Sequence, residues 1–473
     1  MATPNEIAEQ LPAYGPELEQ LWKQERESFD QKIIVLDDDP TGVQTVHNIP
    51  VFTDWSEKTI RAVFSEERQM VFILTNSRAF SEDQTRQVHQ DIAERVALIS
   101  KETGKPFLII SRGDSTLRGH YPLETETLRD TLEQNLPEAI DGEILLPFFK
   151  EGGRETIGDV HYVKSGDTYV PAGETEFAKD RMFGYKSSDL KDYVEEKTSG
   201  AFKAEDVLSV TLDELRSLDL DSVTDKLMSL KGFGKIVVNA VDEEDVRAFS
   251  IALLRAMKQG KRFIFRTAAA FTKVIGDVPS KPVLTKEELV SEESGGHGGL
   301  IIVGSHVKKT TEQLEQLKTL DNIRFIEFQV KLVADPEQFK EEIARIQDAV
   351  NTSIAEGTSV CVYTSRERLD LGDGREEEEL AQSVKISEAV TTFVRNCDPQ
   401  PAYVIAKGGI TSSDVGTKGL GVKKAEVLGQ AAPGVPVWKT GKESVFPEIP
   451  YIIFPGNVGN ADTLKTVVAR LES

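Results

Sequence analysis

The stretch Lys32–Gly42, KIIVLDDDPTG, decides how the rest of the chain is read. KIIVL (Lys32–Leu36) is a short apolar run that suits a buried strand. Pro40 with Gly42 then forces a turn straight after Asp37-Asp38-Asp39. Two runs of the same kind follow, VFIL (Val71–Leu74) and FLIIS (Phe107–Ser111). Between them Val88, Ile92, Val96 and Ile99 recur at helical spacing, and Ser81 with Gln84 makes a capping box. Two strands joined by a helical crossover of this length make a parallel, right-handed βαβ unit. EILLPFF (Glu143–Phe149) and KIVVNA (Lys235–Ala240) continue the pattern. Further out, Val278–Gly299 is polar, holds two prolines and ends in four glycines around His297, which reads as a linker. Beyond it the same grammar restarts. LIIVGS (Leu300–Ser305) leads into a helix near His306, and SVCVYTS (Ser359–Ser365) into the acidic, solvated-looking GDGREEEE. AYVIAKGG (Ala402–Gly409) leads into TSSDV, and YIIFPGNVG (Tyr451–Gly459) into a last helix. The expected fold is α/β in two domains, each a mostly parallel sheet flanked by helices, with a cleft between them. The boundaries are an acidic extension at 1–31, a first domain at 32–277, a linker at 278–299 and a second domain at 300–473.

A chain of 473 residues has room for two or three such domains. Its 79 acidic and 56 basic residues give a net charge of −23. That balance disfavours nucleic-acid or membrane-surface partners, which need a basic face. A small anionic ligand needs only a few cations to converge. No apolar run approaches a membrane span, and the polar, acidic start is unlike a signal peptide, so a cytoplasmic protein is expected. Cys361 and Cys397, with no CxxC, exclude a disulfide framework or a Cys-based zinc site and read as buried apolar residues. The six histidines form no HExxH, and His89 reads as a surface residue on its helix. The first thirty residues read as a packing or dimer element, leaving a homodimer open.

Three turns of the second domain place Gly, Ser or Thr between the end of a buried strand and a helix. They are Gly304-Ser305, Gly408-Gly409-Ile410-Thr411-Ser412 and Gly456-Asn457-Val458-Gly459. Helix starts offer unpaired N–H groups, and glycine lets a phosphate approach the backbone. The serines and threonine could equally be ordinary helix caps. Neither GxxxxGK[ST] nor a GxGxxG opening a βαβ unit is present. In the first domain three strand ends bring Asp37-Asp38-Asp39, Arg112–His120 (RGDSTLRGH) and Gly152-Gly153-Arg154 to one rim. Carboxylates there can accept a hydroxyl proton, and arginines can hold a carboxylate or phosphate. A polyhydroxylated acid needs that combination; an internal Asp–Arg network tying loops together would have the same composition.

DDPTG at Asp38–Gly42, GDSTLRGH at Gly113–His120 and GGR at Gly152–Arg154 resemble the amino-terminal half of the four-carbon acid sugar kinase family. GSHVKKTTEQL at Gly304–Leu314, KGGITS at Lys407–Ser412 and PGNVG at Pro455–Gly459 resemble its carboxyl-terminal half. The resemblance implies a sugar-acid-binding domain followed by a nucleotide-binding domain. The implied activity is that of a phosphotransferase: ATP-dependent phosphorylation of a terminal hydroxyl on a threonate, erythronate or 3-oxo-tetronate type of acid, with Mg2+. It places ATP against Ser305, Gly408, Gly409, Ile410, Thr411 and Gly456. It places the acid among Asp38, Asp39, Asp114, Ser115, Arg118 and Arg154, with Arg112 a further candidate for its carboxylate. Asp39 or Asp38 is then the expected base. The sequence departs from the family pattern at Val43-Gln44-Thr45, where a carboxylate is common, and at His120, where Asn is common. Those departures motivate an alternative from another class, a non-catalytic sensor of sugar acid or nucleotide. An NAD-linked dehydrogenase is weakened by the missing dinucleotide fingerprint.

Overall fold

A computed structural model describes residues 3–166, 168–289, 298–366 and 375–473. His297 and the start of GDGREEEE lie outside these residues. The chain divides into two compact units. One comprises Met1–Gly42 and Asp54–Pro279, the other Val43–Thr53 and Ser280–Ser473. The sequence reading kept 32–277 together. The structure instead gives 43–53 to the second unit, because Ile49–Phe52 pairs antiparallel with Lys424–Ala432.

The first unit is built on seven parallel strands in the order Met70–Leu74, Lys32–Asp37, Phe107–Arg112, Phe263–Thr267, Gly142–Leu146, Gly234–Val238, Leu208–Val210. Helices cover it, as such a sheet requires. Every residue of Lys32–Asp37 is buried. The strand expected over Glu143–Phe149 ends at Leu146, before Pro147, which has no N–H for the ladder. A three-stranded antiparallel sheet of Arg154–Ile157, Val160–Ser165 and Thr168–Pro171 branches off. Thr156 and Ala240 exchange backbone hydrogen bonds, which anchors this small sheet beside the carboxyl end of Gly234–Val238.

Helix Glu82–Thr103 opens with the expected Ser81–Gln84 capping box and closes at Gly104 in the left-handed region (φ 67°). His89 is a correction. It is buried, with Nδ1 2.8 Å from the Thr85 carbonyl, because Thr85, His89, Ile92 and Val96 share one helical face turned to the core. The acidic extension belongs to this unit. Its helix Glu17–Glu27 packs on Glu243–Lys258, and the buried Trp22 indole donates to Asp277 at 2.9 Å.

In the second unit five parallel strands run in the order Ile323–Phe328, Ser359–Thr364, Leu300–Val303, Val404–Lys407, Pro450–Phe454. Val435–Thr440, Lys424–Ala432 and Ile49–Phe52 extend the sheet antiparallel. The linker reading is also revised. Leu284 and Leu289 are buried in this unit's core, and Leu284 N–H donates to the Gln430 carbonyl at 2.8 Å. Both cysteines are buried and free. Among the described residues no helix is long and apolar enough to cross a membrane.

Candidate functional site

In an open parallel sheet, ligands bind at the carboxyl ends of the strands, where the strand order reverses. In the first unit the order reverses at Lys32–Asp37, between Met70–Leu74 and Phe107–Arg112. The carboxyl ends there carry Asp37–Gly42 and Arg112–His120. A concavity of about 750 Å3 lies instead at the opposite edge, lined by Pro106, Phe107, Ile140 and Phe263. It faces the amino ends of the strands, so we place the site at the charged rim.

The three aspartates differ. Asp37 is buried against Arg112 at 3.3 Å and against Gly42, where a Cβ would stand 2.0 Å from its carboxylate. Burial pushes Asp37 up to about 8, against the pull of Arg112. Asp38, also buried, is held in bidentate fashion by Arg78, whose Nη2 and Nε lie 2.5 and 3.2 Å from its two oxygens. Asp39 is the more open group. One oxygen accepts from Thr41 N–H (2.8 Å) and Oγ1 (2.5 Å), and the other lies 3.5 Å from Arg78. Arg112 is turned inward, also 3.8 Å from Asp38, and is almost wholly buried.

The GDSTLRG loop wraps over a second guanidinium, that of Arg266. A Cβ on Gly113 would lie 2.3 Å from Arg266 Cζ, and one on Gly119 (φ 120°) 2.5 Å from its Nη2. These two glycines are therefore set by close approach. Arg266 donates to Glu124 (2.5 Å), Ser111 Oγ (3.2 Å) and the Arg118 carbonyl (3.1 Å). Glu124 also accepts from Ser77 Oγ at 2.6 Å. Against burial, which raises it, Arg266, His89 and Ser77 hold Glu124 down to about 2.

Asp114 accepts from Thr116 Oγ1 and from Arg118 Nε at 2.7 Å. Burial opposes its ionisation, yet Arg78 and Arg118 hold it well below the usual carboxylate range. The Ser115 carbonyl lies 2.8 Å from buried His161 Nε2, and burial keeps that imidazole down to about 4 and hence neutral. Arg118 and Arg154 flank the Phe177 ring, with Cζ at 5.1 and 5.6 Å from its centroid. Arg154 donates to the Gly152 carbonyl, while its Nε is buried without a hydrogen bond. His120 points to the Phe80 carbonyl (3.0 Å) and the Phe183 ring. Of the two departures from the family pattern, Val43-Gln44-Thr45 lies in the second unit.

In the second unit the strand order reverses at Leu300–Val303, between Ser359–Thr364 and Val404–Lys407, and the three glycine turns meet there. A Cβ on Gly304 would stand 2.2 Å from Thr411 Oγ1, one on Gly408 (φ 126°) 2.9 Å from Ser305 Cβ, and one on Gly456 3.0 Å from Ser305 Oγ. None of the expected caps is formed. The helix after Ser305 begins at Lys308 behind Val307, and Gly409–Asp414 begins behind Gly408, each without a side-chain cap. Ile410 is exposed at the rim.

Three cations gather at these turns. Lys407, fully buried, donates to the Pro455 and Gly456 carbonyls, the latter at 3.1 Å. Lys309 donates to the Asn457 carbonyl at 3.2 Å, and Arg366 to the Ser305 carbonyl at 2.5 Å. Among the described residues none of the three has a carboxylate within 4.0 Å. Burial draws Lys407 down to about 7, and Lys309 adds to the fall.

The sequence reading passed over Arg78, Arg266 and Glu124, and quoted Lys309 within its motif without a role. Lys407 was quoted within its motif without a role. A sugar-binding N-terminal domain model matches residues 33–275, and a nucleotide-binding C-terminal domain model matches residues 300–464. The chain belongs to the four-carbon acid sugar kinase family. A D-erythronate kinase of Heliobacterium modesticaldum is 26% identical over 425 residues, covering 85% of this chain and 87% of that protein. Among solved structures, Haemophilus influenzae protein HI1011 matches with TM-score 0.60 at 17% identity, over 93% of this chain and 100% of that one. A Salmonella typhimurium LT2 protein matches with TM-score 0.66 at 14% identity, over 93% and 99%. At such identities these two show the fold. Among the described residues no three His, Cys, Asp or Glu side chains converge on one point; the magnesium that the kinase family implies would arrive with the nucleotide, whose phosphates leave it needing only one or two carboxylates.

Proposed function

We propose that this chain is an ATP-dependent phosphotransferase acting on a terminal hydroxyl of a four-carbon sugar acid, of the threonate, erythronate or 3-oxo-tetronate type. The observation that carries the reading is the contrast between the two strand reversals in one chain. One presents carboxylates interleaved with guanidiniums; the other presents glycine turns around Ser305 with three cations and, among the described residues, no carboxylate within 4.0 Å of them. The D-erythronate kinase relative supports the substrate class.

In this reading Asp39 is the base, because its second oxygen is the least committed of the three aspartates. The substrate hydroxyl oxygen attacks the γ-phosphorus, the bond to the β,γ-bridging oxygen breaks, ADP leaves, and the hydroxyl proton passes to Asp39. Asp38 is locked by Arg78 and positions it. Arg154 and Arg118 hold the substrate carboxylate, and Arg112 supports Asp37 from inside. Ser305, Gly408, Gly409, Thr411 and Gly456 cradle the phosphates, with Ile410 against an apolar part of the nucleotide. Phosphoryl transfer asks mainly for positioning and charge neutralisation, which both sites are equipped to give.

The test is ADP release from Mg-ATP with a panel of threonate, erythronate and their 3-oxo forms, using shorter and longer acids as controls. Turnover on one four-carbon member supports the kinase and names its acceptor. Silence across the panel with ATP binding intact refutes it and favours the sensor.

A further inference from the structure

Lys407 stands in an environment that a resting protein rarely tolerates. It ends a parallel strand at the reversal of the sheet, is wholly inaccessible, and among the described residues its hydrogen-bond partners are two backbone carbonyls. Its Nζ lies 4.4 Å from the centre of the Phe454 ring. A buried ammonium normally carries a paired carboxylate, since losing its hydration uncompensated is strongly unfavourable. Here the elements packed around it bring more cations. Helix Lys308–Leu317 brings Lys309, and the segment after Ser359–Thr364 brings Arg366. His306, after Leu300–Val303, is bonded 3.1 Å from the Ser365 carbonyl. Asp414, at the far end of Gly409–Asp414, is engaged by Lys418 at 2.7 Å and by Ser387. Tyr451, from Pro450–Phe454, donates to the Ser412 carbonyl at 2.5 Å. Among the described residues no carboxylate lies within 4.0 Å of the Lys407 ammonium.

We propose that the missing counter-charge is the phosphate chain of the nucleotide, and that binding at the Ser305 turns is coupled to uptake of one proton by Lys407. This rests on the nucleotide reading given above. The lysine acts as a positioning residue: its ammonium clamps the Pro455 and Gly456 carbonyls, fixing the PGNVG turn against the KGG turn. Its charge is completed when an anion arrives. In the free protein burial holds Lys407 near 7, so it is largely neutral above that pH. An adjacent phosphate favours the charged form and raises the value. Linkage fixes the sign. Below pH 7 the lysine is already charged and affinity does not depend on it. Above pH 7 each binding event must draw a proton, and affinity falls by up to tenfold per pH unit until the bound-state value is passed.

The experiment is calorimetric titration of the full chain with the magnesium complex of a non-hydrolysable ATP analogue at pH 8, in two buffers of different ionisation enthalpy. A group titrating near 7 is about nine-tenths neutral at pH 8, so the expected uptake is about 0.9 proton per nucleotide, with the phosphate's own proton already gone. Lys407→Arg keeps the charge at every pH, so it should bind without proton uptake and with an affinity flat from pH 7 to 9. Binding to the wild-type chain without uptake overturns this inference and leaves the nucleotide reading standing. The same uptake in Lys407→Arg overturns it equally. Absence of binding to the wild-type chain at pH 7 overturns both.

Discussion

Replacing Glu124 by Gln should strand a charge beneath the sugar-acid loop. The amide keeps the shape of the side chain and can still accept from Ser77. It withdraws the only carboxylate within 4.0 Å of Arg266 among the described residues, while that guanidinium stays 8% exposed under Gly113 and Gly119. Two routes give the size of the effect. Breaking a buried pair by removing one partner costs about 3–5 kcal/mol. Independently, a carboxyl that falls from 4.5 to about 2 on folding adds about 3 kcal/mol of stability at neutral pH. That contribution is complete above pH 4.5 and is lost as pH falls towards 2. Because two units need not unfold as one transition, the readout should belong to the first unit. Urea-dependent hydrogen exchange at the Phe263–Thr267 amides serves, since that strand lies in the middle of the sheet and carries Arg266. Glu124→Gln should lower the opening free energy by about 3 kcal/mol, and adding Arg266→Met should restore part of it. A loss below about 1 kcal/mol, or a double variant no more stable than the single, would show that the pair does not hold this loop.

Three other outcomes are expected. Asp39→Asn should cut turnover about 100-fold or more while ATP affinity measured by calorimetry stays within twofold; wild-type turnover would remove Asp39 as base. Arg154→Met should raise KM for the sugar acid roughly 10- to 100-fold with little change in kcat, since it deletes a charged hydrogen-bond donor for the carboxylate. His161 is neutral in the fold, with a value depressed from 6.5 to about 4. The stability it contributes is full above pH 6.5 and is lost as pH falls towards 4, by about 3 kcal/mol. His161→Gln should flatten that part of the stability–pH curve measured by urea unfolding, and an unchanged slope would count against a buried neutral imidazole.

The strands legible in the sequence were those bounded by Gly, Pro or polar residues, such as Lys32–Asp37 and Leu300–Val303. Phe263–Thr267 was not legible. RFIFRTAAAFTKVI runs from strand into helix Ala269–Ile275 without a turn residue, and Arg266 breaks the apolar run that would have marked it. That strand carries the guanidinium on which the GDSTLRG loop rests, so the purpose of Gly113 and Gly119 was hidden with it. Arg78 was hidden for another reason. It sits on a single 3-10 turn, Ser77–Ala79, after a left-handed Asn76, with no periodicity to single it out. The motifs themselves pointed to the right strand ends, because glycines and aspartates after apolar runs are a local signal. Which arginine faces which aspartate depends on pairing between strands distant in sequence, and no local pattern records it.

The assignment of Val43–Thr53 to the second unit has a consequence for how the molecule is made. During synthesis this segment leaves the ribosome roughly 370 residues before the strand Lys424–Ala432 that pairs with Ile49–Phe52. At about 5–20 residues per second, that is roughly 20–75 s before this pairing can form. The first unit can close its seven-stranded sheet meanwhile. The two units are therefore not two genes' worth of independent modules joined end to end: the younger half of the chain finishes a sheet that the older half has already begun.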